Sequence, residues 1–295
     1  MAKPTPEELL RKHAADHSRR WRQNLYVYPV ISRRSSGLSI GVNLNPDKAC
    51  NFDCVYCQVD RTVAPTVRKV DLQVLAAELD DMVAVAAKGD IWNDPQFADV
   101  PDAYRRINDI AFSGDGEPTT CPQFTEAVRL AAAARDRHKL TDMKLILITD
   151  AAYLNRENVR NGLAVMDANN GEIWAKLDAG TQAYYELINR PNVPLDTVLD
   201  NILQASRVRP VVIQSLWMNV RQQPPPSTEI DAFAQRLAHI NTEGGRIKLV
   251  QIYTIARKTT EEWVTPLTTS QLNEIAERVR SVVDLPMEIY AGSAG

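Results

Sequence analysis

The sequence predicts an α/β protein whose parallel strands close into a full or partial barrel, with an open doubly wound sheet as the main alternative. Two observations support this prediction. From residue 38 onward, short β-branched apolar runs alternate with longer amphipathic segments, which is the pattern of strand–helix units around a parallel sheet. Most of the apolar runs are typical of strands that are buried on both faces.

Seven apolar runs are predicted to form the strands of this sheet. They are SIGVNL (39–44), DIAFSG (109–114), KLILIT (144–149), EIWAKL (172–177), VVIQSLW (211–217), IKLVQIYTI (247–255) and, as the weakest, PMEIY (286–290).

Helices are predicted after nearly every strand. The clearest has Asp71 as its N-cap, an apolar stripe from Leu72 to Ala86, and Gly89 at its C-terminal cap. The other helices are predicted to begin near Pro122, Asn155, Thr181, Leu195, Ser227 and Ser270.

Two segments lie outside this alternation. Residues 1–37 contain a predicted helix that starts at Thr5-Pro6 and then a basic arm. Residues 89–107 form an insertion before the second strand. The expected organisation is therefore an N-terminal helix and arm (1–37) and one core domain (38–295) that carries the insertion.

The composition is that of a folded protein, with 44% apolar and 24% charged residues in a chain of 295. The net charge of −3 argues against a nucleic-acid footprint over the whole surface. No apolar signal region and no run of membrane-spanning length is found, so we expect a cytoplasmic protein without membrane association. In that reducing compartment, clustered cysteines are metal ligands or catalysts more often than disulfides.

Three of the four cysteines lie within eight positions, at Cys50, Cys54 and Cys57. Thiolates suit iron–sulfur clusters, zinc and copper(I). A structural zinc site would be closed by four ligands, whereas three cysteines leave one iron of a [4Fe–4S] cluster open to another ligand. The histidines form no pair that would complete a zinc site; they are His13, His17, His138 and His239. A non-catalytic iron–sulfur or zinc-binding scaffold is the alternative from a different functional class.

The segment Cys50-Asn-Phe-Asp-Cys54-Val-Tyr-Cys57 resembles the CxxxCxΦC fingerprint of the radical SAM superfamily, with Tyr56 as the aromatic residue. It follows the first predicted strand of the core, where those enzymes carry it. The resemblance spans about residues 38–290. The stretches VNL, CNFDCVYCQ, SGDGEPT and QIYTIAR are similar to those of the wyosine-synthase-like branch.

This resemblance implies a partial (β/α)6 barrel of the radical SAM type and an enzyme with two cofactors. Cys50, Cys54 and Cys57 would hold a [4Fe–4S] cluster, and S-adenosylmethionine would chelate the open iron. An electron from a donor such as flavodoxin or ferredoxin would then break the S–C5′ bond and give a 5′-deoxyadenosyl radical. That radical would remove a hydrogen atom from the substrate.

The motif GDGE after the second predicted strand resembles the GGE-type motif that receives the methionyl ammonium in radical SAM enzymes. Glycines let backbone approach a ligand, and a carboxylate is the natural partner of an ammonium. Gly114, Gly116 and Glu117 are therefore the expected binding residues, whereas Asp115 is not. Taken alone, GDGEP is a plain turn.

Polar residues at the ends of the other strands are further candidates, because barrel folds place their sites there. By resemblance, Tyr56 would lie on the adenine side, a polar side chain near the fourth strand would meet the ribose, and Lys176 or Arg257 would meet the methionyl carboxylate. The cofactor candidates at these strand ends are Asp150, Lys176, Asp178, Gln214 and Arg257. The alternative is that Asp150 or Asp178 caps the next helix and that Arg257 is a solvated loop charge.

Cys121, the remaining cysteine, is either a small buried apolar residue or a weak catalytic candidate near the active site. It cannot by itself build the second cluster of wyosine-type synthases, so their two-cluster chemistry on tRNA is doubtful. A basic run from Arg11 to Arg34, with Trp21 and Tyr26 interleaved, could bind tRNA or another nucleic acid or be a solvated face. The alternative substrates are a protein that receives a radical and a small molecule.

Overall fold

The computed structural model describes residues 5–15 and 21–292 of the chain. The strands in these residues are β1 (Val27–Ser32), β2 (Gly37–Val42), β3 (Ile107–Phe112), β4 (Lys144–Thr149), β5 (Gly171–Lys176), β6 (Val211–Val220), β7 (Ile247–Thr254), β8 (Val264–Pro266) and β9 (Met287–Tyr290). The helices are α1 (Pro6–Ala15), α2 (Leu72–Ala87), α3 (Phe124–Arg137), α4 (Glu157–Asp167), α5 (Gln182–Asn189), α6 (Leu195–Val208), α7 (Ser227–Thr242) and α8 (Thr269–Arg280).

All seven predicted strands are present, and each predicted helix begins within two residues of its expected start. Asp71 caps α2 by accepting bonds from the backbone N–H groups of Gln73 and Val74. Gly89 follows the end of that helix with a φ of 77°, a conformation that glycine adopts without strain. The α/β class with mostly parallel strands is therefore confirmed.

Two strands, β1 and β8, were not predicted. β1 contains Pro29, which lacks the N–H that an interior strand needs, and among the described strands β1 lies at the sheet edge beside β2. β8 has three residues and pairs with the end of β6, so its sequence is too short to carry a pattern.

The chain divides into two compact units. Unit 1 comprises residues 1–49, 65–147 and 157–172, and unit 2 comprises residues 50–64, 148–156 and 173–295. Insertion residues 89–107 belong to unit 1, where they contain two short 3₁₀ turns, Asp90–Asn93 and Asp102–Tyr104.

In unit 1, β1 is antiparallel to β2, and β2, β3 and β4 are parallel neighbours. β2 is buried along its whole length. The carboxylate of Glu78, on α2, accepts bonds from the backbone N–H groups of Leu25, Tyr26 and Val27 at 2.6, 2.8 and 3.0 Å. One buried side chain of a helix thus fixes the start of β1.

In unit 2, β5, β6, β7 and β9 are parallel in that order. β6 continues three residues beyond this sheet, where Met218–Val220 pair antiparallel with β8. Trp217, which is also in β6, packs edge-on against Phe233 of α7, with 5.3 Å between the ring centres.

Helix α1 begins at the expected Thr5-Pro6, where Thr5 and Glu8 exchange side-chain to backbone hydrogen bonds of 2.7 and 3.2 Å. Arg19 and Arg20 of the predicted basic arm lie outside the described residues. Among the helices that the structure describes, none is long and apolar enough to span a bilayer.

Candidate functional site

The cysteine loop, residues 50–58, lies in unit 2 against the C-terminal end of α5. The backbone N–H of Val55 donates to the carbonyl of Ile188 at 2.9 Å, and that of Asp53 donates to Arg190 at 3.4 Å. These bonds serve carbonyls at a helix end, which have no partner within the helix. The loop is therefore held by backbone geometry as well as by side chains.

A second segment, the one that follows β7, holds the other side of the cysteine loop. The N–H of Thr260 donates to the carbonyl of Cys57 at 2.9 Å, and the Arg257 side chain donates to Gln58 at 2.6 Å. Arg190 bridges both segments, with ion pairs of 3.2 Å to Asp53 and 2.8 Å to Glu261.

All four cysteines are free thiols. Each sulfur of the loop has a different neighbour: Asn51 at 3.8 Å from Cys50, Asn189 at 3.5 Å from Cys54 and Arg61 at 3.6 Å from Cys57. Within residues 5–15 and 21–292, no group of three or more His, Cys, Asp or Glu side chains is arranged to hold a metal ion. Three free thiols on one loop fit an iron–sulfur cluster as a donor set, although the sulfurs are not gathered in a ligand geometry. The metal-binding role of these cysteines stays a prediction.

Cys54 is partly buried. Burial raises its pKa to about 12, against the opposing effects of the Asn189 amide and the Lys176 ammonium. The thiol is therefore protonated at neutral pH, and any metal that binds there must displace the proton.

A buried polar network connects the cysteine loop with the ends of β5 and β7. The Lys176 ammonium lies 2.9 Å from the Tyr253 hydroxyl and 3.3 Å from the Asp178 carboxylate. The Tyr56 hydroxyl donates to Asp178, and the backbone N–H of Leu216 donates to the other Asp178 oxygen at 2.8 Å. Every oxygen of Asp178 is thus engaged within the protein.

The charges of this network are coupled. Burial alone would lower the pKa of Lys176, but the Asp178 carboxylate and Tyr253 outweigh it and hold that pKa above its ordinary value. Burial and the Asp178 charge raise the pKa of Tyr56. Lys176 is consequently a cation and Tyr56 a neutral hydrogen-bond donor at neutral pH.

For Asp178, the alternative of a helix cap is not what the structure has. Asp178 does not cap α5, because the Thr181 hydroxyl accepts the bond from the Tyr184 N–H. Asp150 accepts a bond from the N–H of Ala152 at 2.9 Å, which is a local turn contact. Cofactor roles for both residues stay predictions.

Gln214 and Arg257 are placed differently from expectation. The sequence indicated a strand that ends at Trp217, whereas β6 continues to Val220 and leaves Gln214 near its middle. There the Gln214 amide donates to Gln251 at 2.8 Å. The Arg257 side chain donates a hydrogen bond to Gln58. The predicted alternative, in which Arg257 is a solvated loop charge, is therefore not what the structure has.

The GDGE loop lies in unit 1 and packs against residues that follow β2. Asn43 accepts bonds from the N–H groups of Asn45 and Asp115 at 3.0 and 3.2 Å and donates to the Asp115 carboxylate at 2.8 Å. A Cβ on Gly114 would lie 2.4 Å from the Asn43 side chain, and one on Gly116 would lie 2.0 Å from the Ala49 carbonyl. The chain's own packing therefore requires both glycines, whether or not a ligand approaches.

Glu117 is buried, and one of its oxygens accepts bonds from the N–H and hydroxyl of Thr119 at 3.0 and 2.6 Å. It thus caps the 3₁₀ turn Pro118–Thr120. Asp115 is directed to Asn43. The cofactor role of Glu117 stays a prediction.

Cys121 is buried in unit 1, only 7% exposed, and burial raises the pKa of its thiol. A protonated, enclosed thiol behaves as a small apolar residue. This supports the first of its two predicted roles.

Trp21 and Tyr26 do not offer stacking platforms for nucleic-acid bases. Trp21 is buried against Phe97 with ring centres 6.1 Å apart, and Tyr26 is buried with its hydroxyl donating to the Lys69 carbonyl. Arg22 lies over the Trp21 ring at 4.8 Å and is exposed. Whether this face binds nucleic acid stays a prediction.

Three asparagines of these two regions were missed by the sequence analysis. Asn43 and Asn45 form an Asn-x-Asn pair directly after a strand, a local signal that could have been read as turn chemistry. Asn189, which contacts Cys54, Tyr56 and Asp178, ends α5 without any local signal.

No protein-family model matches the chain. Among curated proteins, the UPF0026 protein MJ1312 of Methanocaldococcus jannaschii is 32% identical over 177 residues, or 60% of this chain and 46% of that protein. The chain spans less than two thirds of the length of the curated relatives it matches.

Two solved structures share the fold. TYW1 with a lysine–pyruvate adduct bound has a TM-score of 0.51 at 13% identity, covering 92% of this chain and 81% of TYW1. Native anSMEcpe with bound AdoMet has a TM-score of 0.53 at 14% identity, covering 85% of this chain and 63% of that one. The predicted resemblance to radical SAM enzymes, including the wyosine-synthase-like branch, is confirmed at the level of the fold, and so is the partial TIM-like barrel.

Proposed function

We propose that this chain is a radical SAM enzyme that holds a [4Fe–4S] cluster through Cys50, Cys54 and Cys57 and binds S-adenosylmethionine. The observation that carries the proposal is the presence of three free thiols, in the CxxxCxΦC pattern, on one loop of a chain with this fold. When bound, the two cofactors together would supply a 5′-deoxyadenosyl radical that takes a hydrogen atom from a substrate.

Lys176 would bind the methionyl carboxylate as a cation. TYW1 has been solved with a lysine–pyruvate adduct, and a lysine that forms such an adduct must first be a neutral amine. The Lys176 ammonium is 3.3 Å from the Asp178 carboxylate, which favours its charged form. Its surroundings therefore support an electrostatic role better than a nucleophilic one.

Asp178 and Tyr56 would form the rigid wall of the cofactor site. Asp178 holds the Tyr56 hydroxyl and the Lys176 ammonium, so it would position these groups rather than meet the ribose itself. The Tyr56 ring, fixed in this way and buried, would pack on the adenine side. Glu117 and the backbone of Gly114 and Gly116 would receive the methionyl ammonium.

The cysteine count limits the chemistry. Outside the cysteine loop the printed chain has only Cys121, so it cannot supply a second three-cysteine cluster. This favours single-cluster hydrogen abstraction over the two-cluster reaction of wyosine-type synthases. A base of tRNA or another nucleic acid is the first substrate class to test, before a protein partner that receives a radical and a small molecule.

Anaerobic reconstitution with iron and sulfide, followed by dithionite and S-adenosylmethionine, tests the proposal. We expect 5′-deoxyadenosine from the wild type and from Cys121→Ala, which is the matched control. Cys54→Ala should lose both the cluster and the product, because two cysteines cannot hold the cluster in place. An intact [4Fe–4S] spectrum without any 5′-deoxyadenosine would instead support the non-catalytic scaffold.

A further inference from the structure

The Asn189 side chain contacts both a cysteine of the loop and the buried Lys176–Asp178–Tyr56 network. Its amide nitrogen lies 3.5 Å from the Cys54 sulfur, 3.0 Å from the Tyr56 hydroxyl and 3.3 Å from the Asp178 carboxylate. Asn189 is 3% exposed and is the last residue of α5.

The orientation of the Asn189 amide follows from its neighbours. The Asp178 carboxylate can only accept hydrogen bonds, so the NH₂ group must face it. Tyr56 already donates its proton to Asp178, so the tyrosine oxygen is an acceptor for the same NH₂ group. The Cys54 sulfur faces the same NH₂ group, whose two hydrogens are thus shared among three acceptors, Asp178, Tyr56 and Cys54.

The amide has an energetic cost at this position. Its oxygen is buried and has no hydrogen-bond partner among the described residues, which destabilises the folded state. An apolar residue of the same size would avoid that cost. The contacts of its N–H groups with Cys54, Tyr56 and Asp178 are what an amide provides here and an apolar side chain would not.

We infer that Asn189 is a positioning residue that donates an N–H···S hydrogen bond to Cys54 and thereby sets the reduction potential of the bound cluster. This inference rests on the proposed function. Hydrogen bonds to cluster sulfurs stabilise the additional negative charge of the reduced state, so they raise the potential. The same amide also contacts the Tyr56 hydroxyl, so Asn189 would position both the proposed adenine-side residue and a cluster ligand.

Redox titration of the reconstituted full-length protein, followed by electron paramagnetic resonance, tests the inference. We expect Asn189→Leu to assemble the cluster with a more negative midpoint potential than the wild type. The control is Asn201→Leu, which removes an equally buried asparagine of unit 2 that donates to the carbonyls of Ala151 and Ala152. That variant should keep the wild-type potential. Equal potentials in the wild type and Asn189→Leu would overturn the inference and leave the proposed function intact.

A second measurement does not depend on the folding of Asn189→Leu. Electron–nuclear double resonance on the reduced cluster, with asparagine side chains labelled with nitrogen-15, should show a nitrogen coupling and an exchangeable proton. The coupling should persist in Asn51→Ser, which removes the other side-chain amide beside a loop cysteine. Absence of the coupling would refute the hydrogen bond. A wild-type protein that binds no iron–sulfur cluster would refute the proposed function and this inference together.

Discussion

Asp109 is a buried carboxylic acid in the interior of unit 1, at the start of β3. Its carboxyl accepts a hydrogen bond from Ser39. Ser39, Ser35 and the Lys144 ammonium favour the charged form of Asp109, whereas the negative charge of Glu172 disfavours it. Burial outweighs these effects and raises the pKa of Asp109 to about 6. The folded state therefore binds this proton more tightly than the unfolded state does.

The consequence is a stability that falls as pH rises. The contribution of the Asp109 proton is complete below the unfolded pKa of about 4 and is lost as pH passes about 6. We expect wild-type unfolding free energy to drop by about 3 kcal/mol relative to Asp109→Asn across this window. Urea unfolding of the metal-free protein at several pH values measures it, with exposed Glu277→Gln as the control. Parallel stability curves for wild type and Asp109→Asn would contradict the assignment.

Glu117 has two separable roles, one in the turn that it caps and one in the proposed cofactor site. Glu117→Gln keeps an oxygen for Thr119 but removes the negative charge. We expect S-adenosylmethionine to bind about 10- to 150-fold more weakly, since a charged hydrogen bond contributes about 1.5–3 kcal/mol. Equilibrium dialysis on the reconstituted protein measures this, and iron content should not change. Asp115→Asn, the neighbouring control, should bind as the wild type does.

At the scale of single residues, sequence supports a prediction where the chemistry is local. The three cysteines stand in one short motif, whose spacing predicts a metal-binding role that stays a prediction. Asn189 approaches Cys54 from 135 positions away in the chain, and nothing in its own neighbourhood indicates a contact with sulfur. Likewise, no pattern could show that Asp178 would be fully occupied by Tyr56 and Leu216.

Among the secondary-structure elements, helix α2 also anchors the start of β1, which its amphipathic pattern does not predict. Its Glu78 satisfies three backbone N–H groups at the start of β1. We expect Glu78→Ala to lower the unfolding free energy by about 3 kcal/mol, because two buried donors and one part-buried donor lose their acceptor. Chemical unfolding measures the loss, and hydrogen exchange of the β1 amides should show it locally.

Asp81→Ala on the exposed side of the same helix is the matched control, and we expect it to change stability by less than about 0.5 kcal/mol. Equal effects of the two substitutions would mean that the Glu78 contacts do not stabilise β1.

The strands and helices that were predicted from sequence are those in which the pattern of apolar residues extends over several consecutive positions. β4 was predicted with its observed bounds because six consecutive residues, KLILIT, carry the signal. β1 and β8 depend on partners instead: β1 is anchored by Glu78 from another helix, and β8 exists because β6 extends to meet it. Such strands are specified by tertiary contacts that a local pattern does not contain.

For the whole molecule, the proposed function limits the chain to one cluster, because the sequence has four cysteines. Three of the four lie on one loop, and the fourth is buried in unit 1. We expect about four iron ions per chain after reconstitution, and the same count for Cys121→Ala. Colorimetric iron and sulfide assays measure this, and about eight iron ions in the wild type would show a second cluster.

The fold as a whole was predictable because two independent signals agreed, the alternation of strand and helix patterns and the position of the cysteine motif after a strand. The packing of the GDGE loop was not predictable. Its glycines were attributed to the approach of a ligand, whereas Asn43 and the Ala49 carbonyl already fill the space beside them.

The contacts that hold the cysteine loop also affect the order in which the protein folds and binds its metal during synthesis. The partners of this loop lie far downstream, with Arg257 standing 199 positions after Gln58. During synthesis the three thiols therefore leave the ribosome long before the segments that enclose them. Maturation of the metal centre should follow completion of the chain, and a nascent polypeptide halted before α5 would carry bare sulfurs open to oxidation.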